Sequence, residues 1–272
     1  GISLPYETLY TNAINILHLS RIPLMAAARG PEHPLVIAGG HATYNPAPMH
    51  AFIDAFIIGE GEEVIMEVVD AHQAWKNENT PREVLLQLLS QVPGVYVPSL
   101  YESSYQADGR FSCLERLHPS APMPIVKRIT PDLPPPLTDF IVPYIDIVHD
   151  RAAIEIMRGC TRGCRFCHAG IVNRPVRERP IEEVVNAIEA AVQATGFEEV
   201  GLLSLSSSDY TNIVELVDAI QGTFEDRHLS ISLPSLRIES TSVDLMEALE
   251  GSRRGSCTLA PEAASERMRR MI

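Results

Sequence analysis

Ile156-Met-Arg-Gly-Cys-Thr-Arg-Gly-Cys-Arg-Phe-Cys-His-Ala-Gly-Ile-Val-Asn-Arg-Pro-Val-Arg-Glu-Arg-Pro180 holds three of the chain's five cysteines, Cys160, Cys164 and Cys167, within eight residues. The gaps are too short for a regular strand or helix to carry all three thiols to one point. A glycine-rich loop does so, and Gly159 and Gly163 permit positive φ there. Thiolates converging from a short loop suit a soft metal or an iron–sulfur cluster. A 4Fe–4S cluster held by four cysteines is coordinatively closed and moves electrons. Three cysteines leave one iron without a protein ligand, and an open position is what catalysis needs.

Other readings of the same residues stand beside this one. Cys164-Arg-Phe-Cys167-His168 matches the C-x-x-C-H pattern of haem attachment, which would leave Cys160 idle. Cys160, Cys164, Cys167 and His168 could form a Cys3His zinc site, although adjacent Cys167 and His168 would strain to reach one tetrahedral ion. Small buried thiols or a disulfide are the plainest alternative.

The Cys-x3-Cys-x2-Cys spacing, with Phe166 just before the last cysteine, resembles the radical S-adenosylmethionine (SAM) family. The resemblance implies that Cys160, Cys164 and Cys167 ligate a 4Fe–4S cluster whose open iron binds the amino and carboxylate groups of SAM. It implies reductive cleavage of SAM to a 5′-deoxyadenosyl radical, which abstracts hydrogen from a substrate. An external one-electron donor such as flavodoxin or ferredoxin is implied as partner. The contrasting function is a non-catalytic metal-binding or electron-transfer protein.

Outward from the loop, the pattern becomes strand–helix. Residues 152–157 read as a strand, and Pro180 as the first position of a helix carrying Ile181, Val184, Val185, Ile188 and Val192. A second strand (200–205) is followed by Ser206-Ser-Ser-Asp209, with Asp209 expected to cap a helix carrying Ile213, Leu216, Val217 and Ile220. A third strand (229–233) precedes Pro234-Ser-Leu-Arg237 and a helix capped by Thr241-x-x-Asp244. A fourth strand (256–260), with Cys257 read as core, leads into Pro261-Glu262 and a last helix. Four βα units make part of a parallel (β/α) barrel of the TIM type, with its chemistry on the loops after the strands.

Those loops nominate further residues. Ser204, Ser206 and Ser207 follow strand two, where the resemblance places the SAM amino-group site. The family's usual Gly-Gly-Glu motif is absent there, and helix capping is the plain alternative. Arg237 offers a planar fork to a carboxylate, against an ion pair with Glu239. Glu262 is placed for ribose hydroxyls, against a favourable charge at a helix start. Phe166 joins these as a cofactor-binding candidate.

Toward the amino end, two short apolar runs, Leu35–Ala38 and Ala55–Ile58, break at Gly39-Gly40 and Gly59-Glu-Gly-Glu62. Strand–loop–helix repeated in this way argues for a doubly wound α/β unit. Ile37–Pro46 and Asp54–Glu62 resemble the carboxyl-terminal half of a cobalamin-binding-type domain, so Gly39 and Gly40 are candidate cofactor contacts and cobalamin a candidate ligand. The usual Asp-x-His-x-x-Gly motif is absent, and His41 and His50 lack that context.

The expected fold class is therefore α/β: part of a doubly wound Rossmann-like domain (1–75), a connector (76–150) and an incomplete radical SAM barrel (151–272). In the connector, Thr80-Pro-Arg-Glu83 reads as a capping box, and eight of the 21 prolines lie between Pro119 and Pro143, an extended tie. The ends read as those of a fragment cut on both sides. At 272 residues and net charge −13 the chain is not a general nucleic-acid binder. Seven arginines in 151–180 reverse the sign locally, which keeps an RNA or nucleotide substrate open without favouring it. No apolar run approaches a membrane span, and the expected location is the cytoplasm.

Overall fold

Period-two apolar runs and period-3.6 stripes sort the chain into two units, 1–130 and 131–272, each with its own core. The structure, a computed structural model, describes residues 1–78, 80–145, 147–227, 229–238, 240, 242–250 and 259–272.

The first unit contains β1 (Ile2–Ser3), α1 (Tyr10–Leu19), β2 (Ile37–Gly39), β3 (Ala55–Ile57), α2 (Val64–Glu78), α3 (Arg82–Ser90), β4 (Val95–Tyr96), β5 (Tyr101–Tyr105) and β6 (Phe111–Arg116). Its sheet runs β1-β2-β3-β4, parallel except for β4, and β5 and β6 form an antiparallel hairpin. All three residues of β3 are buried, the burial expected of an inner strand. On α2 the buried stripe is Val64, Val68 and Trp75, while Ile65 and Val69 turn half outward. Leu85 and Leu89 of α3 and Val95 of β4, within the stretch expected as connector, join this first core. The capping box at Thr80 does not form: Pro81 is the N-cap of α3 and no side chain caps it. The start of the proline-rich tie lies along the sheet, with Arg128 N–H donating to Ile58 O at 2.8 Å and Glu60 N–H donating to Arg128 O at 3.1 Å.

A buried ion triad fastens the amino ends of the inner strands. Asp54 Oδ2 accepts from Arg29 at 3.1 Å, from Arg82 at 2.9 Å and from Val36 N–H at 2.7 Å. The two guanidiniums also bind backbone carbonyls of Pro23, Leu24 and Phe52, and of Gly30, His33 and Pro34. Loop carbonyls that would otherwise be buried without donors are thereby satisfied.

The second unit contains β7 (Ala152–Glu155), β8 (Met157–Arg158), α4 (Ala169–Val172), β9 (Arg177–Glu178), α5 (Ile181–Thr195), β10 (Glu199–Leu203), α6 (Ile213–Thr223), β11 (Ser230–Ser232), β12 (Leu236–Arg237), α7 (Val243–Glu250), β13 (Leu259–Ala260) and α8 (Glu266–Met271). Strands β7, β10 and β11 form a parallel sheet with β10 in the middle, and β12 pairs in parallel with β13. This is a partial βα barrel, in which β11 and β12 belong to separate sheets among the described residues. Helix α5 buries Val184, Ala187, Ile188 and Ala191, and α6 buries Ile213, Leu216, Val217 and Ile220. Truncating fully buried Ile188 or Leu216 to alanine costs roughly 2–5 kcal/mol.

Helix starts are where local expectation fails. Pro180 is the N-cap of α5 rather than its first residue, and Asn212, not Asp209, is the N-cap of α6. On α7, Leu245 N–H donates to Ser242 Oγ at 3.1 Å. Thr241, Glu239 and Cys257 lie outside the described residues, as does most of the fourth expected strand.

Candidate functional site

The cysteine loop is closed at its neck. Met157 and Arg158 of β8 pair antiparallel with Glu178 and Arg177 of β9, so the two ends of the loop are tied to each other. Next to the neck, Gly159 sits at φ +90, and a Cβ there would lie 2.7 Å from Pro175 O and 2.8 Å from Asn173 O. Only glycine fits that position. Gly163 does not share the role: it is not among the residues with positive φ, and a Cβ would meet nothing within 4 Å. Arg174 braces the interior, donating to Gly170 O at 3.1 Å and Arg162 O at 2.8 Å.

Cys160, Cys164 and Cys167 are free thiols, Cys160 buried and the other two half-buried. Each sulfur faces an N–H donor: Arg162 N at 3.4 Å from Cys160, Gly170 N at 3.3 Å from Cys167, and Arg237 Nη1 at 3.2 Å from Cys164. Three separate thiols carrying N–H donors fit a thiolate-held cluster, in which each sulfur binds a different iron. Among the described residues no three His, Cys, Asp or Glu side chains stand as they would around a single ion. His168 and Phe166 lie on the exposed side of the loop, Phe166 at 60% exposure.

The loop after β10 reaches the cysteine loop through an ion pair. Arg162 donates Nε to Asp209 Oδ2 at 2.9 Å and Nη2 to Oδ1 at 2.5 Å, a two-pronged contact. The Arg162 hydrogen bonds, with help from Ser206 and Ser240, hold the Asp209 carboxyl at about 2, below its ordinary 3.8, against an opposing push from burial. Of the three serine candidates, two are spent internally. Ser206 Oγ donates to Asp209 at 2.7 Å, and buried Ser207 Oγ donates to Leu202 O at 3.3 Å. Ser204, 3.0 Å from Ser207 Oγ, is the half-exposed one.

Arg237 and Glu262 line one cavity of about 520 Å3 with Glu266, Arg269 and Arg270. Glu262 holds φ at +64, an uncommon conformation for a residue with a Cβ. Arg237 N–H is anchored on Ser208 Oγ at 3.1 Å, and Ser208 Oγ lies 2.8 Å from Ser240 Oγ. Gly39 and Gly40 belong to the first unit, at the carboxyl end of β2. Gly40 has φ +111, and its missing Cβ makes room for the Leu4 backbone, whose oxygen would be 2.7 Å away.

Sequence reasoning missed Asp209 and Ser208 as parts of the site. The available signal was an arginine between two cysteines and an acid at the end of a βα loop, which is weak until the loops are placed in space.

A family model described as the radical SAM superfamily matches residues 154–272, and one described as radical SAM proteins, N-terminal, matches residues 1–98. The chain belongs to the radical SAM superfamily. Enzymes of that superfamily work with a 4Fe–4S cluster and SAM. An uncharacterized protein of Methanocaldococcus jannaschii is 30% identical over 280 residues, covering 100% of this chain and 51% of the relative. The threonylcarbamoyladenosine tRNA methylthiotransferase of Treponema pallidum is 26% identical over 109 residues, 39% of this chain and 22% of that protein. Among solved structures, the radical SAM methyltransferase TsrM of Kitasatospora setae, with cobalamin and a [4Fe–4S] cluster bound, matches at TM-score 0.51 and 15% identity. That match covers 93% of this chain and 47% of TsrM. At that identity the likeness is one of fold. The chain spans about half the length of the M. jannaschii relative and of TsrM. No helix among the described residues is long and apolar enough to cross a membrane.

Proposed function

We propose that Cys160, Cys164 and Cys167 hold a 4Fe–4S cluster with one open iron, and that the protein reductively cleaves SAM to modify a substrate. The observation that carries this reading is the set of three unlinked thiols, each met by an N–H donor, on a loop closed at its neck. When bound, the cluster supplies the electron that breaks a carbon–sulfur bond of SAM and leaves a 5′-deoxyadenosyl radical.

The chain's own residues shape that chemistry. Gly159 and the β8–β9 neck fix the loop's path, and the Arg162–Asp209 pair anchors it to the loop after β10. Ser204 and Glu262 are the residues assigned to the polar groups of SAM, a reading supported by the half-exposed Ser204 and by Glu262 lining the cavity that also reaches Arg237. Exposed Phe166 offers an apolar face beside the last ligand. In the first unit, Gly39 and Gly40 lie at a strand's carboxyl end, where open sheets bind ligands, and cobalamin, bound by TsrM, is the ligand proposed there. A soluble one-electron donor of the flavodoxin or ferredoxin type serves as redox partner, and the cytoplasm is the compartment.

Anaerobic reconstitution of the full-length protein tests the reading. With dithionite and SAM, wild type should form 5′-deoxyadenosine, and Cys160→Ala, Cys164→Ala and Cys167→Ala should each form none. Product from any of the three variants refutes the assignment. A reduced cluster whose electron paramagnetic resonance (EPR) spectrum ignores added SAM would instead favour a non-catalytic electron-transfer role.

A further inference from the structure

The three sulfurs do not draw their hydrogen bonds from the same kind of donor. Cys160 and Cys167 are served by backbone amides of their own loop, at 3.4 and 3.3 Å. Cys164 is served by a side chain 73 residues away, the guanidinium of Arg237 at 3.2 Å. An amide is a neutral dipole, whereas a guanidinium carries a full charge that no accessible pH removes. Hydrogen bonds from charged donors are also roughly twice as strong as neutral ones.

The arginine is held for this task. Its backbone lies in β12, paired with β13 through Arg237 and Ala260. Its N–H rests on Ser208 Oγ at 3.1 Å, and that oxygen lies 2.8 Å from Ser240 Oγ. The loop after β10, the β12 strand and the cysteine loop thus meet around one sulfur.

We propose that Arg237 is a positioning residue that sets the reduction potential of the cluster by holding a permanent positive charge on the Cys164 sulfur. The proposal rests on the cluster reading above and replaces the carboxylate-binding role the sequence suggested for this residue. One-electron reduction adds a negative charge to a group already anionic. A cation beside a ligand sulfur stabilises the reduced form more than the oxidised one, so it raises the potential. Hydrogen bonds to sulfur and local charge are the protein's levers on such clusters. A carboxylate-binding role makes a different prediction: SAM affinity would depend on Arg237 and the potential without SAM would not.

The test uses the reconstituted full-length protein without SAM. Iron, sulfide and the reduced EPR signal are quantified first; a wild type with no cluster overturns the function proposed above and this inference with it. Where the cluster is present, an EPR-monitored redox titration compares wild type, Arg237→Gln and Arg237→Lys. In Arg237→Gln the equilibrium constant for reduction should fall at least about tenfold, about 59 mV for one electron. Arg237→Lys should recover at least half of that shift. An unchanged potential in Arg237→Gln, or a lysine variant displaced as far as the glutamine one, overturns the inference while leaving the cluster reading intact. If Arg237→Gln does not retain a cluster, wild type grown with arginine labelled with nitrogen-15 in the guanidinium decides. A label nitrogen coupled to the reduced-cluster spin in pulsed EPR and lost in Arg237→Lys labelled the same way supports the contact; no coupling in wild type, or coupling unchanged in Arg237→Lys, overturns it.

Discussion

Replacing Asp209 with asparagine tests whether the cysteine loop is anchored from outside itself. The Asp209 side chain is only 9% exposed and takes both prongs of Arg162. Its carboxyl falls from 3.8 to about 2, close to two pH units, and each unit corresponds to roughly 1.4 kcal/mol. Arg162 is 37% exposed, so solvent screens part of that, and about 1–2 kcal/mol of coupling is expected. The assay is a double-mutant cycle of Asp209→Asn and Arg162→Gln, read by denaturant unfolding of the second unit at pH 7. The sign of the pH dependence follows from the lowered value. The stabilisation is complete above about 3.8 and is lost as pH falls toward about 2, so wild type should lose stability across that window and Asp209→Asn should lose less. A coupling below about 0.3 kcal/mol, within the error of additivity, or identical acid limbs in wild type and variant would refute the anchor.

Two further substitutions probe the scaffold of the site. Gly159→Ala should cost roughly 1–3 kcal/mol and lower the iron retained after reconstitution, because its Cβ meets the carbonyls of Pro175 and Asn173, whereas Gly163→Ala should leave iron content unchanged. Equal iron contents in the two variants would contradict the strained neck. Arg179 is 3% exposed and donates to Glu155 O at 2.8 Å, Glu183 Oε1 at 2.6 Å and Pro134 O at 2.7 Å. Arg179→Ala should therefore destabilise the second unit by about 3 kcal/mol or more in denaturant melts, and a loss under about 1 kcal/mol would show that the contacts are dispensable.

What the sequence made legible is what periodicity encodes. The apolar stripes of α5 and α6 and the inner strand β3 follow from spacing alone, because burial repeats with the geometry of the element. The cysteine loop was legible as a candidate site for a similar reason, since a three-thiol loop has few chemical uses. The caps were not. Asp209 at a helix start has two competing donors, a local amide and a guanidinium 47 residues earlier, and nothing local shows that the second is within reach. The β8–β9 neck was invisible for the same reason: two-residue strands carry no alternation. Arg237 was named as a candidate, but its contact with the Cys164 sulfur was not foreseen, because that sulfur comes from another βα unit.

The antiparallel tie between Met157–Arg158 and Arg177–Glu178 has a consequence for how the cysteine-bearing segment behaves as a unit. A long excursion ordinarily draws its shape from whatever flanks it, and slackens when they do. Here the excursion is cinched at its own mouth, like a purse whose drawstring is separate from the coat it hangs on. Breathing of the surrounding strands then reaches the three thiols through the Arg162–Asp209 and Arg237–Cys164 contacts rather than by prising the mouth apart.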